Sequence, residues 1–581
     1  MKRCPQCNRA ETDDALKFCR VDGTTLINDS TALAAESATA KLGSVPLSGE
    51  IETNILPHTT SGTINRGTGP TSALPLPAAA STGRLTKSAR SRNIVIAIAA
   101  LVILAAGIAV FSSFYLSRRN NATIQSIAVM PFVNEGGNAD LEYLSDGITD
   151  TLISRLSQLP NLNVKARSSV FRYKGKETSP QTIGRDLNVQ AIVNGRVAQR
   201  GDQLMRTLEL VNTQTENVMW SEQYNRKSSD LLFLQTEIAR DVSTKLKTKL
   251  SGADEQKLAK TYTNNPEAYQ LYLKGTFYLG RRTAADMKRG LEYFQQAIDL
   301  DPNYALAYVG LSDAYKLPAT YGLVPTREGY PRAKAAAQKA LQIDDSVAAA
   351  HAALGDVAAS YDWDWTVAER ELKRAIDLDP NSAGAHLAYA FSYLCPMRRF
   401  DEAVSEAKRA QQLEPLSLSI NTNLGAVLTT ARRYDEAIAQ LQKTVELDPN
   451  FVTAHWRLAL AYSCVGRHTE AIAEAKRAFE LAPDLAWSKS VVAQMSARAG
   501  DKDTALKLID EIKKMPPNNT SYMIALDYAC LGQKDRAFEW LNKAYESKDW
   551  SLNRVGVEPW IDNIGSDPRL ADLLKRMNLP E

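Results

Sequence analysis

Cys4 and Cys7 stand with two residues between them near the start of the chain, and Cys19 follows with Asp22 three places further on. Two thiolates at that gap make one half of a zinc grip. A second turn facing the first sets three sulfurs and one carboxylate oxygen tetrahedrally around the ion. Its binding energy then folds a module too small to have a core. Asp22 in the fourth position is expected to hold zinc less tightly than a fourth cysteine. The other thiols, Cys395, Cys464 and Cys530, are scattered and read as small buried hydrophobes, not as a disulfide framework.

A second set recurs far downstream. Tyr308, His351, His386, Asn421 and His455 follow one another at steps of 43, 35, 35 and 34 residues. Histidines so arranged invite a metal reading, yet helices one repeat apart lie roughly 10 Å from each other, too far for consecutive side chains to share an ion. They are expected instead to pack or to line a partner-binding groove. Asp146 and Asp150 read as acids favoured by a helix dipole, and Gly136-Gly137 as a plain turn without the spacing of a phosphate loop. No nucleophile–base pair or two-histidine metal motif stands on a plausible scaffold, so no enzyme is expected.

These residues are distributed over 581 positions, a length that suggests about four domains. The net charge of +3 is too small to point to nucleic acid. The first 26 residues, with Phe18-Cys19-Arg20-Val21-Asp22-Gly23 as their second half, resemble the short zinc-ribbon modules of bacterial membrane proteins. Residues 27–92 are rich in Ser, Thr, Ala, Gly and Pro and bury too little apolar area to order themselves, so they read as a disordered linker. Ile94 to Leu116 carry no charge. As a helix they would span roughly 34 Å, enough to cross a bilayer of about 30 Å, so 93–117 is expected as a transmembrane helix. Arg84, Lys87, Arg90 and Arg92 before it, against Arg118 and Arg119 after it, place the N-terminus in the cytosol. The expected location is a bacterial inner membrane, single-pass, with the C-terminal domains periplasmic or extracellular.

Residues 123–255 alternate strand and helix patterns. Ser126 to Phe132 reads as a strand, Leu141 to Leu156 as a helix, and Val164 to Phe171 as a second strand. Gln181 to Leu187 follows as a short helix, then Ala191 to Val197, Leu204 to Asn212 and Val218 to Tyr224 as strands, and a helix from Ser229. Leu204, Leu208 and Leu210, and on the next strand Val218, Trp220 and Tyr224, are expected to face inward. The runs Ala128-Val129-Met130-Pro131-Phe132, Glu142-Tyr143-Leu144-Ser145-Asp146-Gly147-Ile148 and Trp220-Ser221-Glu222-Gln223-Tyr224 together resemble the TolB amino-terminal-like domain. That resemblance implies an α/β interaction or sensing domain with a mixed sheet.

From 264 to 550, small residues recur at Gly290, Ala333, Ala368, Ala403, Ala437, Ala471, Ala505 and Ala537. Asp301-Pro302, Asp379-Pro380, Glu414-Pro415 and Asp448-Pro449 keep the same beat. This is the tetratricopeptide pattern, expected to give about eight helix-turn-helix units stacked into a superhelix. Residues 551–581, with Trp560, Leu570, Leu573, Leu574 and Met577, are expected to cap its open end. The fold class is thus multidomain: zinc ribbon, one spanning helix, α/β domain, and an all-α repeat superhelix. The function expected is a membrane-anchored scaffold that binds a protein or peptide through the superhelix and the α/β domain. A receptor whose cytosolic ribbon recruits an effector is the alternative. No nucleic-acid partner and no small-molecule substrate is expected.

Overall fold

Two units make up the chain, residues 1–102 and 103–581. The computed structural model describes residues 2–3, 10–11, 27–28, 124–136, 141–159, 162–201, 203–227, 230–246, 251–516 and 520–580. In the first unit three short strands, β1 (Lys2–Arg3), β2 (Ala10–Glu11) and β3 (Ile27–Asn28), form an antiparallel sheet in the order β2-β1-β3. Cys4, Cys7, Cys19 and Asp22 lie outside the described residues, as does the linker. The expected single-pass placement in an inner membrane is corrected: among the described residues no helix is long and apolar enough to cross a membrane. Residues 93–117, on which that expectation rested, also lie outside them.

The second unit opens with the α/β domain. Its elements are β4 (Ser126–Val129), β5 (Val133–Asn134), α1 (Glu142–Ser157), β6 (Asn163–Val164), α2 (Arg167–Val170) and α3 (Pro180–Leu187). Then come β7 (Ala191–Arg200), β8 (Gln203–Asn212), β9 (Val218–Lys227), α4 (Leu231–Lys245) and α5 (Gly252–Ala259). The sheet is mixed, in the order β6-β4-β7-β8-β9, with β5 also pairing β7. Ile127, Ala128, Val129, Ala191, Ile192 and Val193 are all buried, as strands covered on both faces must be. Local chemistry sets the ends of α3. Ser179 caps it by accepting from the Thr182 amide, Pro180 begins it, and Asn188 ends it in the left-handed region at φ 51°.

Two expectations for this domain fail for identifiable reasons. Of residues 164–171 only Val164, the second residue of β6, lies in a strand before the chain turns as α2. Arg167 binds both oxygens of Asp150 on α1, at 2.9 and 3.0 Å, and stacks 3.6 Å from the Phe171 ring centroid, which draws the segment off the sheet. On β9, Tyr224 is buried, but Val218 is 56 % exposed. A register shift at Leu210–Val211 breaks the pairing there, so alternation counted from Tyr224 no longer holds at Val218.

Gly195 on β7 faces the Phe132 ring, and a Cβ there would lie 2.4 Å from ring carbon Cδ1. Gly195→Ala is therefore expected to lower stability by about 1–3 kcal/mol, read from the urea midpoint of the full chain.

Eight helix pairs follow among the described residues. They are α6 (Pro266–Gly280) with α7 (Ala284–Leu300), α8 (Ala305–Thr320) with α9 (Thr326–Ile343), and α10 (Ala348–Val357) with α11 (Trp365–Leu378). Next are α12 (Ala383–Ala388) with α13 (Phe400–Leu413), α14 (Leu418–Thr430) with α15 (Tyr434–Leu447), and α16 (Val452–Cys464) with α17 (His468–Leu481). The last are α18 (Ala486–Arg498) with α19 (Lys502–Lys513), and α20 (Ser521–Cys530) with α21 (Lys534–Ser547). α10 and α12 run on as π-helical turns, Ala358–Asp362 and Tyr389–Leu394. The Asp-Pro beat has a structural cause. Asp301, Asp379 and Asp448 end their helices and accept the amide of the residue two further on, at 3.0, 3.1 and 2.9 Å, before the chain re-enters a helix. Small residues let paired helices close up: a Cβ on Gly290 would lie 3.0 Å from the Gly275 carbonyl.

The C-terminal segment does more than shield the last pair. It comprises the 3₁₀ turns Trp550–Arg554 and Pro559–Ile564 and the helix α22 (Pro568–Arg576). α22 lies along α21, where Arg569 sits over Phe538. The Met577 carbonyl accepts from Trp365 Nε1 at 2.8 Å, Gly556 O accepts from Arg398 at 3.2 Å, and Asp562 pairs with Arg432 at 2.7 and 2.8 Å. The C-terminal segment thus reaches back to the third, fourth and fifth pairs.

Candidate functional site

The first helix of each pair supplies the row expected to pack or to line a groove, and the structure buries four of its five members in the stack. His351, His386, Asn421 and His455 are all buried, while Tyr308 is half-buried against Ala305 and Val309. His351 Nδ1 meets Glu371 on the following helix at 2.6 Å, and its Nε2 meets the Asp345 carbonyl at 2.9 Å. His386 repeats the arrangement with Glu406 and the Pro380 carbonyl, and His455 with Glu474 and the Pro449 carbonyl. Asn421 does the same work as an amide, giving Nδ2 to Pro415 O at 2.8 Å and taking bonds from Gln411 and Gln440. The row clips each helix to the next and to the turn behind it. At His351, His386, Asn421 and His455 the polar atoms are engaged within the array.

These pairs superficially resemble catalytic dyads. A base must present a free nitrogen to substrate, and here each imidazole has both nitrogens engaged. At His455 burial disfavours the imidazolium, but the Glu474 carboxylate and the Pro449 carbonyl outweigh it and raise the pKa.

The surface that does face inward begins one residue later. Val309, Ala352 and Leu387 each follow a member of the row and line a cleft of about 360 Å³ across the second to fifth pairs. A helix turns about 100° per residue, so this single step moves a side chain from the stack to the concave face. Ala349, Ala352, Gly384 and Ala388 give the cleft a low floor. On its wall Lys316 binds Asp356 at 2.9 Å, and Ser392 donates to the other Asp356 oxygen at 2.7 Å. Burial opposes the Asp356 charge, yet the Lys316 ammonium prevails and holds the carboxyl below its ordinary range.

Trp456 continues the inward row and opens a second, smaller cavity of about 60 Å³. Trp456 and Trp487 pack with centroids 5.1 Å apart, and Arg457 lies 4.1 Å from the Trp456 centroid. Glu558, from the C-terminal segment, accepts from Tyr522 at 2.7 Å, Trp560 at 2.8 Å and Arg554 at 3.2 Å. Arg457 is 8 % exposed, its Nε has no hydrogen-bond partner, and burial with Arg554 nearby pushes its pKa down to about 10. Arg554 therefore pairs with the one carboxylate, while Arg457 feels it only through space. Sequence reasoning missed this cluster. Its signal was there in Trp456 and Trp487, about one repeat apart.

Below that cavity Asp527 accepts from Ser490 at 2.6 Å and Gln494 at 2.9 Å, while its other oxygen has no partner. Burial pushes the carboxyl up to about 7. A folded-state pKa above the unfolded one contributes stability at low pH and loses it as pH rises through the folded value. Asp527→Asn keeps the acceptor and removes the ionisation. Between pH 4 and pH 8 the unmodified chain is expected to lose on the order of 3 kcal/mol more than the variant, measured by urea melts at each pH. The three scattered cysteines are free thiols; Cys395 is buried as expected, Cys464 and Cys530 are half-buried, and burial raises the pKa of each.

Comparison with known proteins agrees with part of this architecture. Residues 123–241 match the family model of the second domain of HilA/YgeH-like transcriptional regulators. Residues 433–463 match a TPR repeat model and 452–485 a tetratricopeptide repeat model. A protein of Rhizobium meliloti (strain 1021) named "Putative adenylate cyclase 3" is 30% identical over 187 residues, 32% of this chain and 32% of that protein. The chain thus spans about a third of that relative's length. Among solved structures, Pseudomonas aeruginosa PilF is 24% identical over 37% of this chain and 93% of its own, with a TM-score of 0.29. YrrB, described as a TPR protein with an unusual peptide-binding site, is 20% identical over 34% of this chain and 95% of its own, at 0.25. Human IFIT1, solved with a capped RNA fragment, is 16% identical over 60% of this chain and 81% of its own, at 0.37. The C-terminal region carries tetratricopeptide repeats, and ahead of it stands a mixed-sheet domain similar to the second domain of the HilA/YgeH-like regulators.

Proposed function

We propose that this chain is a protein-interaction scaffold that holds an extended segment of a partner along the concave face of its repeat array. The observation that carries this is the cleft lined by Val309, Ala352 and Leu387. Its floor of alanine and glycine lets a partner's backbone approach closely, and the Lys316–Asp356–Ser392 wall offers polar atoms to it. The reading is non-enzymatic, supported by the full engagement of each histidine–glutamate pair. The cyclase activity in the relative's name belongs to that protein. In the test, the full chain is panned against a library of unstructured peptides. Selected peptides are expected to lose at least tenfold in affinity on Ala352→Trp, which fills the floor, and little on Arg289→Ala, an exposed control on α7. Unchanged affinity for Ala352→Trp would overturn the proposal.

For the first unit we propose structural zinc held by Cys4, Cys7, Cys19 and Asp22. The pairing of β1 with β2 supports it, because Cys4 and Cys7 fall in the connection between those strands. About one zinc per purified chain is expected by elemental analysis, falling on Cys7→Ser. A metal-free chain purified without chelators would refute it.

A further inference from the structure

The α/β domain meets the first two helix pairs around a cavity of about 210 Å³, bounded by α1 and α4 on one side and α6 and α8 on the other. Its charges do not balance. At the acidic end Arg167 holds Asp150, and Lys174 bridges Asp146 and Glu142 at 2.5 Å each, so two cations there meet three carboxylates and leave no positive charge over. Lys260 pairs with Asp344 at 2.7 Å. Arg155 forms no ion pair among the described residues: its Nη1 donates to Thr236 Oγ1 at 3.1 Å and to the Leu258 carbonyl. Arg206, on β8, is 1 % exposed, and none of its three guanidinium nitrogens has a hydrogen-bond partner. It lies near enough to act on the phenol of Tyr269, which forms part of the cavity wall. Burial pushes the Arg206 pKa down to about 10, the mark of a cation short of compensation.

The wall itself is aromatic. Tyr269 and Tyr272 stack with centroids 6.4 Å apart, and Tyr272 and Tyr304 lie 5.3 Å apart. Tyr269 is fixed by bonds to Thr151 and Gln235, each 2.8 Å. The volume exceeds the roughly 150 Å³ that admits a benzene ring. Guanidinium charge without an ion-pair partner beside a partly enclosed space of low dielectric favours an anion, and aromatic walls favour a ring.

We propose that this cavity binds a small organic anion carrying one ring, with the acid group on Arg155 and the ring among Tyr262, Tyr272 and Tyr304. The ligand would bridge the α/β domain and the repeat array, a role separate from peptide binding in the cleft. The test is calorimetric titration of the full chain with benzoate, 4-hydroxybenzoate and phenyl phosphate. Phenol serves as the uncharged control and inorganic phosphate as the ringless one. At least one ring anion is expected to bind once per chain, ten or more times tighter than either control. Arg155→Gln is expected to weaken that anion at least tenfold and leave phenol unchanged. Thr276→Phe, which places a ring in the cavity, is expected to abolish binding, and it carries the test if Arg155→Gln does not fold. Ring anions binding no tighter than phenol, or binding indifferent to whichever variant folds, would overturn the proposal.

Discussion

Glu558→Ala should destabilise the repeat array by about 3–5 kcal/mol, the usual penalty for removing one partner of a buried ion pair. Glu558 and Arg554 are 4 % and 5 % exposed as side chains, and the same carboxylate satisfies Tyr522 and Trp560. Without it, Arg457 and Arg554 would face each other with no carboxylate among their hydrogen-bond partners. Urea denaturation of the full chain, followed by tryptophan fluorescence, measures the loss. The effect should be well above that of Glu539→Ala, whose partner Lys543 sits on the exposed surface of α21. Equal costs for the two variants would mean that the buried cluster contributes no more than a surface pair.

Trp365→Ala should loosen the hold of the C-terminal segment on the third pair, at a cost of about 3–5 kcal/mol for a buried tryptophan. Trp365 is 8 % exposed and holds the Met577 carbonyl. Beside it, Trp363 stacks on Tyr545 at 5.0 Å and carries Lys548 3.5 Å from its ring centroid. Protease nicking within 550–579 is expected to accelerate in the variant, while the fifth and sixth pairs keep their resistance. Nicking at an unchanged rate would show that the Trp365 contact contributes nothing to holding the last turns.

What the sequence made legible was what repeats locally. The Asp-Pro turns, the alanines at helix contacts and the β7–β8 alternation each have a cause within a few residues. The histidine row was visible for the same reason, but its role was not. Only the structure shows Glu371, Glu406 and Glu474, on the following helices, meeting those imidazoles. The residues that line the cleft and the smaller cavity lay one place further along, at Val309, Ala352, Leu387 and Trp456. Arg206 was hidden by its own strand: it occupies an inward position between Leu204 and Leu208, where alternation calls for an apolar side chain. The back-contacts of the C-terminal segment join residues more than 100 positions apart, beyond any local signal.

Hydrogen–deuterium exchange of the full chain, with and without a saturating selected peptide, tests the concave face most directly. Slowed exchange is predicted in α8, α10 and α12, whose residues line the cleft, with α9, α11 and α13 unchanged. Protection confined to those second helices or to the α/β domain would contradict the account.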